Sequence, residues 1–500
     1  MKKYLPSLLL FLAGTLFFGF YALLGIDLHH DGIMFKTAVD AANNAALFRE
    51  TFSQYGVLTP LLQGAAIKIF GAELVVIKLL TAVFYGASLV VYDIIWKRFF
   101  KPEEKFWRAF AISLFFLLSA DCCVTSHPWA SVYALFFLLL GMEFTLRFFD
   151  GCKQEKLSAL LSGVCGGLMF GFRQPCGLTA LISALLLGFV LFSVDRRRSL
   201  RYTAGFAAGF FSVCAVFVVI ITIWGAWRDY FIQTWSNALS FAVKRGAGGG
   251  YSDMMNNFFP FVTGDRGFVD AVFAFFPLVT LFFFGWLFIS KKWKDSLPMV
   301  AVILFALGAW HQYYPVPCMR HLYWAGVPMM GIFVYVLKQL WQNRDIRTRG
   351  AVVLLVLILL VPAAFRGYFA CRRIAAVEKR ETVNVPGVRG LLLFSHEAKI
   401  ISIFNDLNSF LPPEIARRGV FNHTPDGIWS VILAPCDFKH PLYCRIGETI
   451  YPDYDKAAFR YCLEKRPAVI SSVWKQLPGY VTLQTLTYNG VDYSILLPER

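Results

Sequence analysis

The sequence predicts a polytopic α-helical membrane protein of about eleven transmembrane helices, with amphipathic surface helices in its first outer loop and a C-terminal extracytoplasmic α/β domain. Composition is the first sign: of 500 residues, 57% are hydrophobic and only 16% charged. A soluble chain carries about 25% charged residues. The second sign is a series of long apolar stretches that ends near residue 370. The third is a polar tail, residues 371–500, whose pattern alternates between strand-like and helix-like runs.

About 20 apolar residues cross a bilayer as a helix. Stretches near that length occupy residues 4–26, 72–96, 107–120, 129–149, 157–172, 175–194, 203–224, 268–289, 297–311, 321–341 and 350–370. The two at 107–120 and 297–311 are short and need support from neighbouring helices. Lys2 and Lys3 precede the first stretch, as in a signal peptide. Its apolar run exceeds the usual 7–15 residues and no small-residue cleavage site follows, so it is expected to remain as a span.

The formal net charge is +16. Its basic residues lie between apolar runs rather than on one polar module, which argues against a nucleic-acid partner. Lys97, Arg98, Arg196, Arg197, Arg198, Lys291, Lys292 and Lys294 share a side with the N-terminus. The positive-inside rule makes that side cytoplasmic. An odd number of spans then places 371–500 outside and divides the chain into 1–370 and 371–500.

Within the first outer segment, 27–71, Ile33–Leu47 and Leu61–Phe70 read as helices lying at the membrane surface, the second starting just after Pro60. In the tail, Gly390–Phe394 and Ala468–Ser472 read as strands. Ala398–Phe410 and Tyr454–Glu464 read as helices. Tyr480–Leu497 reads as a hairpin turning at Asn489-Gly490. The chain has eleven cysteines. No CxxC pair has a partner pair, so a structural zinc site is not expected. Cys436, Cys444 and Cys462 fall in the tail and could include one disulfide, with the pair left open. Glycines in the spans, among them Gly163, Gly166, Gly167, Gly171, Gly205 and Gly209, permit close helix approach.

The chemistry concentrates in Asp27-Leu28-His29-His30-Asp31-Gly32, just outside the first span. Ionisable residues at a membrane are costly and mark functional sites. Asp27 could simply cap the following helix. Two acids and two histidines exceed what capping needs, so Asp31, and secondarily Asp27, are candidate general bases toward a hydroxyl. His29, His30 and Asp31 could instead hold a divalent ion such as Mg or Mn, since imidazole and carboxylate both ligate metals. Asp121, at the outer end of the third span, is a second candidate acid or an ordinary interface residue. Arg173 with Gln174, and Arg320 with His321, sit at outer span ends. They are either snorkelling anchors or phosphate ligands, for which the guanidinium fork is suited. Lys244 and Arg245, further candidate phosphate or substrate ligands, precede the run Gly246–Gly250, which is a flexible linker or a flap that carries their charges over the site. It is not a nucleotide loop, because no Gly-Lys-Ser/Thr follows.

The acidic outer loop after the first span, Gln54-Tyr55-Gly56, Pro60 and Phe70-Gly71 occur in an order that resembles the GT-C superfamily of membrane glycosyltransferases. The nearest branches are the protein O-mannosyltransferases and the lipid A aminoarabinose transferase. Arg320 before a late span containing Pro328, and the α/β tail, extend the likeness over the whole chain. The resemblance implies transfer of a sugar from a polyprenyl-phosphate carrier to a lipid, glycan or protein hydroxyl on the outer face of a bacterial plasma membrane. It maps the family's first-loop acid onto Asp31, its second-loop acid onto Asp121, and its phosphate-binding cations onto Arg173 and Arg320. His30 would contact the donor as well. Many members carry Asp-Glu in the first loop, whereas Gly32 follows Asp31 here. A single displacement would invert the anomeric centre.

Two other functions compete. A polymerase or ligase using a diphosphate-linked glycan would employ the basic 225–267 loop. A lipid-linked glycan transporter would show two matching halves with broken helices, and no such halves are evident.

Overall fold

The computed structural model describes residues 4–122, 127–151, 154–244, 268–313, 319–342, 345–414, 419–433, 440–442, 444–445 and 453–499. The chain opens with α1 (Leu5–Ala22), followed by two helices of the first outer segment, α2 (His30–Ala42) and α3 (Leu58–Phe70). Then come α4 (Leu74–Trp96), α5 (Lys105–Cys122), α6 (Ala130–Phe149), α7 (Glu155–Phe172), α8 (Gln174–Phe192) and α9 (Arg196–Ile223). Short helices α10 (Trp227–Phe231) and α11 (Asn237–Lys244) flank a π-turn. The helical part closes with α12 (Phe268–Ile289), α13 (Leu297–Ala309), α14 (Met319–Gln342) and α15 (Ile346–Ala375).

A helix stands at each apolar stretch expected to be one. Among the described residues five of them, α1, α4, α6, α8 and α9, are long and apolar enough to cross a membrane. Local chemistry sets several ends. Asp195 accepts the Arg198 N–H at 3.0 Å and starts α9, and Asp345 does the same for Thr348 at 2.9 Å in α15. Arg173 adopts an extended backbone between α7 and α8, and proline opens α8.

The glycines in α7 and α9 do bring the helices together. A Cβ on Gly163 would lie 1.9 Å from the Phe206 carbonyl oxygen, and one on Gly209 would lie 2.1 Å from that of Leu160. Buried charges near the far ends of α4, α5 and α6 are paired. Asp93 takes both Arg108 bonds at 2.6 Å, and Glu143 takes Arg98 at 2.7 Å. These pairs lie at the end of α4 away from the first outer loop and fix helix ends.

The tail builds a two-stranded ribbon, β1 (Arg380–Glu381) with β2 (Leu393–Phe394), then α16 (Ser395–Phe410). Strand β3 (Val420–His423) leads to α17 (Trp429–Ile432), α18 (Tyr454–Lys465), β4 (Ala468–Ser471), β5 (Tyr480–Tyr488) and β6 (Val491–Pro498). The sheet order is β3-β4-β6-β5, parallel between β3 and β4 and otherwise antiparallel. The β5–β6 hairpin turns at Asn489 (φ 48°) and Gly490 (φ 76°), the left-handed pair a tight turn requires. Trp429 stacks on Phe404 at 4.0 Å and fastens α17 to α16.

Two expectations need correction. Helix α2 is not a surface helix, because every residue from Asp31 to Asp40 is buried. Helices α3 and α4 cover part of it, and Gly427–Ile432 of the tail covers more. Its Lys36 and Asp40 pair with each other in the interior. The tail disulfide is not formed by Cys444 or Cys462, which are free buried thiols, and Cys436 lies outside the described residues. Both thiols pack with Phe421, Tyr454 and Val469 as small apolar groups.

The tail is also joined to the first outer loop by backbone bonds. Gly25 donates to the Leu392 carbonyl at 2.8 Å, Leu392 donates to Leu23 at 2.7 Å, and Leu74 donates to Gly387 at 2.8 Å. One continuous apolar core runs through both parts.

Candidate functional site

The site begins at the N-terminus of α2, where the first helical N–H groups lack intrahelical partners. Asp27 Oδ1 accepts from the N–H of His29 at 3.1 Å and of His30 at 2.8 Å. The Asp27 N–H in turn donates to Asp31 Oδ2 at 3.0 Å. Asp27 therefore has the capping role its position allows. The positive end of the helix favours both carboxylates.

Three side chains then converge on the pair. Lys78, one turn into α4, places Nζ 2.8 Å from Asp31 Oδ2 and donates to the Gly25 carbonyl at 3.0 Å. His127 Nδ1 lies 2.9 Å from Asp31 Oδ1, and its Nε2 lies 3.7 Å from Asp27 Oδ2. A carboxylate can only accept, so the Nδ1 proton sits on His127. His30 Nδ1 lies 2.9 Å from the same Asp27 oxygen. Burial alone would raise the Asp31 carboxyl, but Lys78 and His127 outweigh it and hold the group below the usual carboxylate range. Asp27 is likewise held low, burial being overcome by His30 and His127.

His127 owes its place to α3. Gln63 Nε2 donates to the Pro128 carbonyl at 2.7 Å and to the Tyr133 hydroxyl at 3.0 Å, pinning the segment that enters α6. Trp129 follows, with its ring 5.3 Å from His30 and 5.4 Å from Tyr55. Arg173 lies beyond Tyr55, its guanidinium 5.9 Å from that ring and its Nη1 bonded to Ser131 Oγ. The acid cluster and Arg173 are thus separated by the Trp129 and Tyr55 rings.

Around Arg173 the polar groups are buried and partly unsatisfied. Gln174 Nε2 and Gln312 Oε1 have no hydrogen-bond partner among the described residues. His311 donates from Nδ1 to the Gly308 carbonyl at 3.1 Å. A buried cation with neutral polar groups around it suits an anion that brings its own charge.

The remaining expected residues are less informative. His321 lies 5.6 Å from the Trp324 ring. Arg245 and the side chains of Asp121, Lys244 and Arg320 lie outside the described residues, as does most of the basic 225–267 loop. No group of three metal-ligating side chains is found among the described residues. The acids are already matched to an ammonium group and imidazoles, and Lys78 sits where a cation beside Asp31 Oδ2 would be. As arranged, these residues do not fit a divalent ion.

Sequence reasoning passed over Lys78 and gave His127 no role. The signal for Lys78 was available: a lysine inside an apolar span is costly unless paired. His127 carried no comparable signal, because its contact with Asp31 depends on the fold bringing two segments remote in sequence together.

The sequence matches no protein-family profile and no curated protein. Solved structures do match in fold. The oligosaccharyltransferase of Archaeoglobus fulgidus, in its apo form, is 12% identical with TM-score 0.58, covering 94% of this chain and 70% of that one. The same enzyme with an inhibitory peptide and a dolichol-phosphate is 10% identical with TM-score 0.55, covering 94% and 70%. It has also been solved with Zn and sulfate. ArnT from Cupriavidus metallidurans in the apo state is 14% identical with TM-score 0.50, covering 99% and 98%. The chain shares the fold of these two proteins, and its long apolar helices support an integral membrane protein.

Proposed function

Starting from the GT-C fold, we propose that this protein transfers a sugar from a polyprenyl-phosphate-linked donor to an acceptor hydroxyl at the outer membrane face. The observation that carries the reading is the Asp31–Lys78–His127 cluster, joined through Trp129 and Tyr55 to Arg173. It supplies an anionic acid beside cations that can meet a lipid phosphate. The archaeal structure with dolichol-phosphate shows that a protein of this fold can accommodate such a carrier.

In this reading residues 1–370 form the membrane catalytic part with eleven crossings, and 371–500 lie outside. The N-terminus is cytoplasmic and the membrane a bacterial inner membrane. Arg173 binds the donor phosphate, assisted by Lys78 and by Arg320. As the phosphate draws Lys78 away, Asp31 loses its counter-ion and gains proton affinity. The acceptor oxygen attacks the anomeric carbon and its proton passes to Asp31. The bond from that carbon to the phosphate oxygen breaks, and polyprenyl phosphate leaves with the electron pair. The anomeric centre inverts. Asp27 and His30 hold His127 and Asp31 in place, and Asp121 faces the same side as a second acid.

The test is sugar transfer by the purified full-length protein in lipid nanodiscs, with synthetic polyprenyl-phosphate sugars as donors and a membrane extract as acceptor. General-base help is worth about 10²–10⁴-fold, so a folded Asp31→Asn variant should lose at least about 10²-fold. Transfer at the wild-type rate in that variant would rule out Asp31 as the base.

A further inference from the structure

Gln233 stands in an unusual stretch between α10 and α11. The Asn237 N–H donates to the Ile232 carbonyl, which makes Ile232–Ser236 a turn of π-helix. Such turns are rare and recur at functional sites. Gln233 is buried in this one, against the first outer loop. Its side-chain amide works at both ends: Nε2 donates to the Phe48 carbonyl at 2.6 Å, and Oε1 accepts the Ser53 N–H at 3.0 Å.

Phe48 has φ 69°, a left-handed conformation that a bulky residue rarely adopts. It is fully buried, with the Tyr230 ring of α10 5.2 Å from its own. Strain of this kind persists only where the surroundings enforce it, and it collects around ligand clamps. Gln233 supplies part of that enforcement by tying residues 48 and 53 to one side chain.

The constraint continues toward Arg173. Ser53 Oγ donates to the Tyr55 carbonyl at 3.3 Å. The Gly56 N–H donates to the Phe172 carbonyl at 3.2 Å, and a Cβ on Gly56 would stand 2.0 Å from the Gly171 carbonyl oxygen. The loop is thus seated on the end of α7, directly before Arg173. Tyr55 lies between these two anchors, with its ring 5.9 Å from the Arg173 guanidinium and 5.4 Å from Trp129.

We propose that Gln233 is a positioning residue for the anion site: by latching residues 48–53 it holds the Tyr55 ring against the Arg173 guanidinium, and so sets the affinity for a lipid-borne phosphate. The guanidinium is a planar fork, and an aromatic ring beside it restricts how that plane can turn. Loss of the latch frees Tyr55 and lets the fork swing. The inference rests on the reading above in which Arg173 meets the donor phosphate.

Undecaprenyl-phosphate binding to the full-length protein in nanodiscs tests it through a double-mutant cycle. Gln233→Met keeps the side chain's length and removes both bonds, while Tyr55→Leu removes the ring. Each should weaken binding by about ten-fold, and the double variant also by about ten-fold, since both losses act on one contact. Thr234→Val, in the same π-turn, cuts only the bond to the Tyr230 carbonyl. It should bind within about two-fold of wild type whatever its melting temperature. In the transfer assay Gln233→Met should raise the donor KM and leave the acceptor KM unchanged.

Wild-type affinity in Gln233→Met overturns the inference. So does a double variant about one-hundred-fold weaker, because independent losses multiply. A Thr234→Val variant as weak as Gln233→Met also overturns it, by reducing Gln233 to general support of the helix. Should Gln233→Met not fold, Ser53→Ala decides: cutting the link to Tyr55 should weaken binding about three-fold, and wild-type affinity there sinks the latch. A protein that shows the coupling yet transfers no sugar keeps the positioning role and loses the transferase reading.

Discussion

Lys78 Nζ lies 2.8 Å from Asp31 Oδ2, and neither side chain is exposed to solvent. The two come from different helices, so the contact ties the first outer loop to the start of α4. Removing one partner of a buried pair strands the other charge. Lys78→Met should cost about 3–5 kcal/mol of stability, while Asp31→Asn combined with Lys78→Met should recover much of it. Thermal unfolding of the three variants in detergent measures this. Equal melting temperatures for Lys78→Met and wild type would show that the pair has no structural role.

Gly32 sets how closely the tail approaches α2. A Cβ there would stand 2.0 Å from the Ile428 nitrogen and 2.5 Å from the Gly427 carbonyl carbon, both rigid backbone atoms. Gly32→Ala should therefore push the Pro425–Gly427 segment off the helix, at a cost of about 1–3 kcal/mol. Limited proteolysis of the tail should become faster in that variant. Unchanged protection would mean the seam yields without loss. Gly32 is thus the position where tail backbone fills the space a side chain would take.

Much of this architecture was legible in the sequence because long apolar runs and an Asn-Gly turn are local signals. The eleven stretches and the Tyr480–Leu497 hairpin needed no tertiary information. Strand β3 was missed because Val420–His423 is only four residues long and its pairing partner, β4, is remote. The burial of α2 was missed for a related reason. Its polar residues Lys36 and Asp40 look like a solvated face until their mutual pairing and the covering tail are known. At the site, Asp27, His30, Asp31 and Arg173 stood out as charge at a membrane edge. His127 and Gln233 gained significance only from what the fold places beside them.

The tail should lose stability as pH falls. His423 is sandwiched against Trp474 at 3.6 Å, and burial pushes its imidazole down to about 4 from the ordinary 6.5 despite the bond to Asp455. Between those values the unfolded chain binds a proton that the folded chain does not, so lowering pH favours unfolding. Above the ordinary histidine value the term vanishes. Each such proton gives a slope of up to about 1.4 kcal/mol per pH unit. His423→Gln should flatten the profile by about one proton, leaving the slope due to His440, which burial also lowers to about 4. Denaturation monitored across this pH range checks it, and an unchanged slope would place the acid sensitivity elsewhere.

Arg173 offers the sharpest distinction between a structural anchor and a phosphate ligand. Its guanidinium bonds Ser131 through Nη1, lies beyond Tyr55 and stands near His311. Arg173→Lys keeps the positive charge and loses the fork, which matters for bidentate phosphate binding and little for a charge that merely snorkels. Charge-assisted hydrogen bonds contribute about 1.5–3 kcal/mol, so undecaprenyl-phosphate binding should weaken by roughly ten- to one-hundred-fold. Gln174→Leu should weaken it less, since it removes a neutral donor. Ligand-induced thermal stabilisation of the detergent-purified protein reads both effects. If Arg173→Lys binds the lipid as wild type does, Arg173 is an anchor and the donor phosphate must be held by other cations.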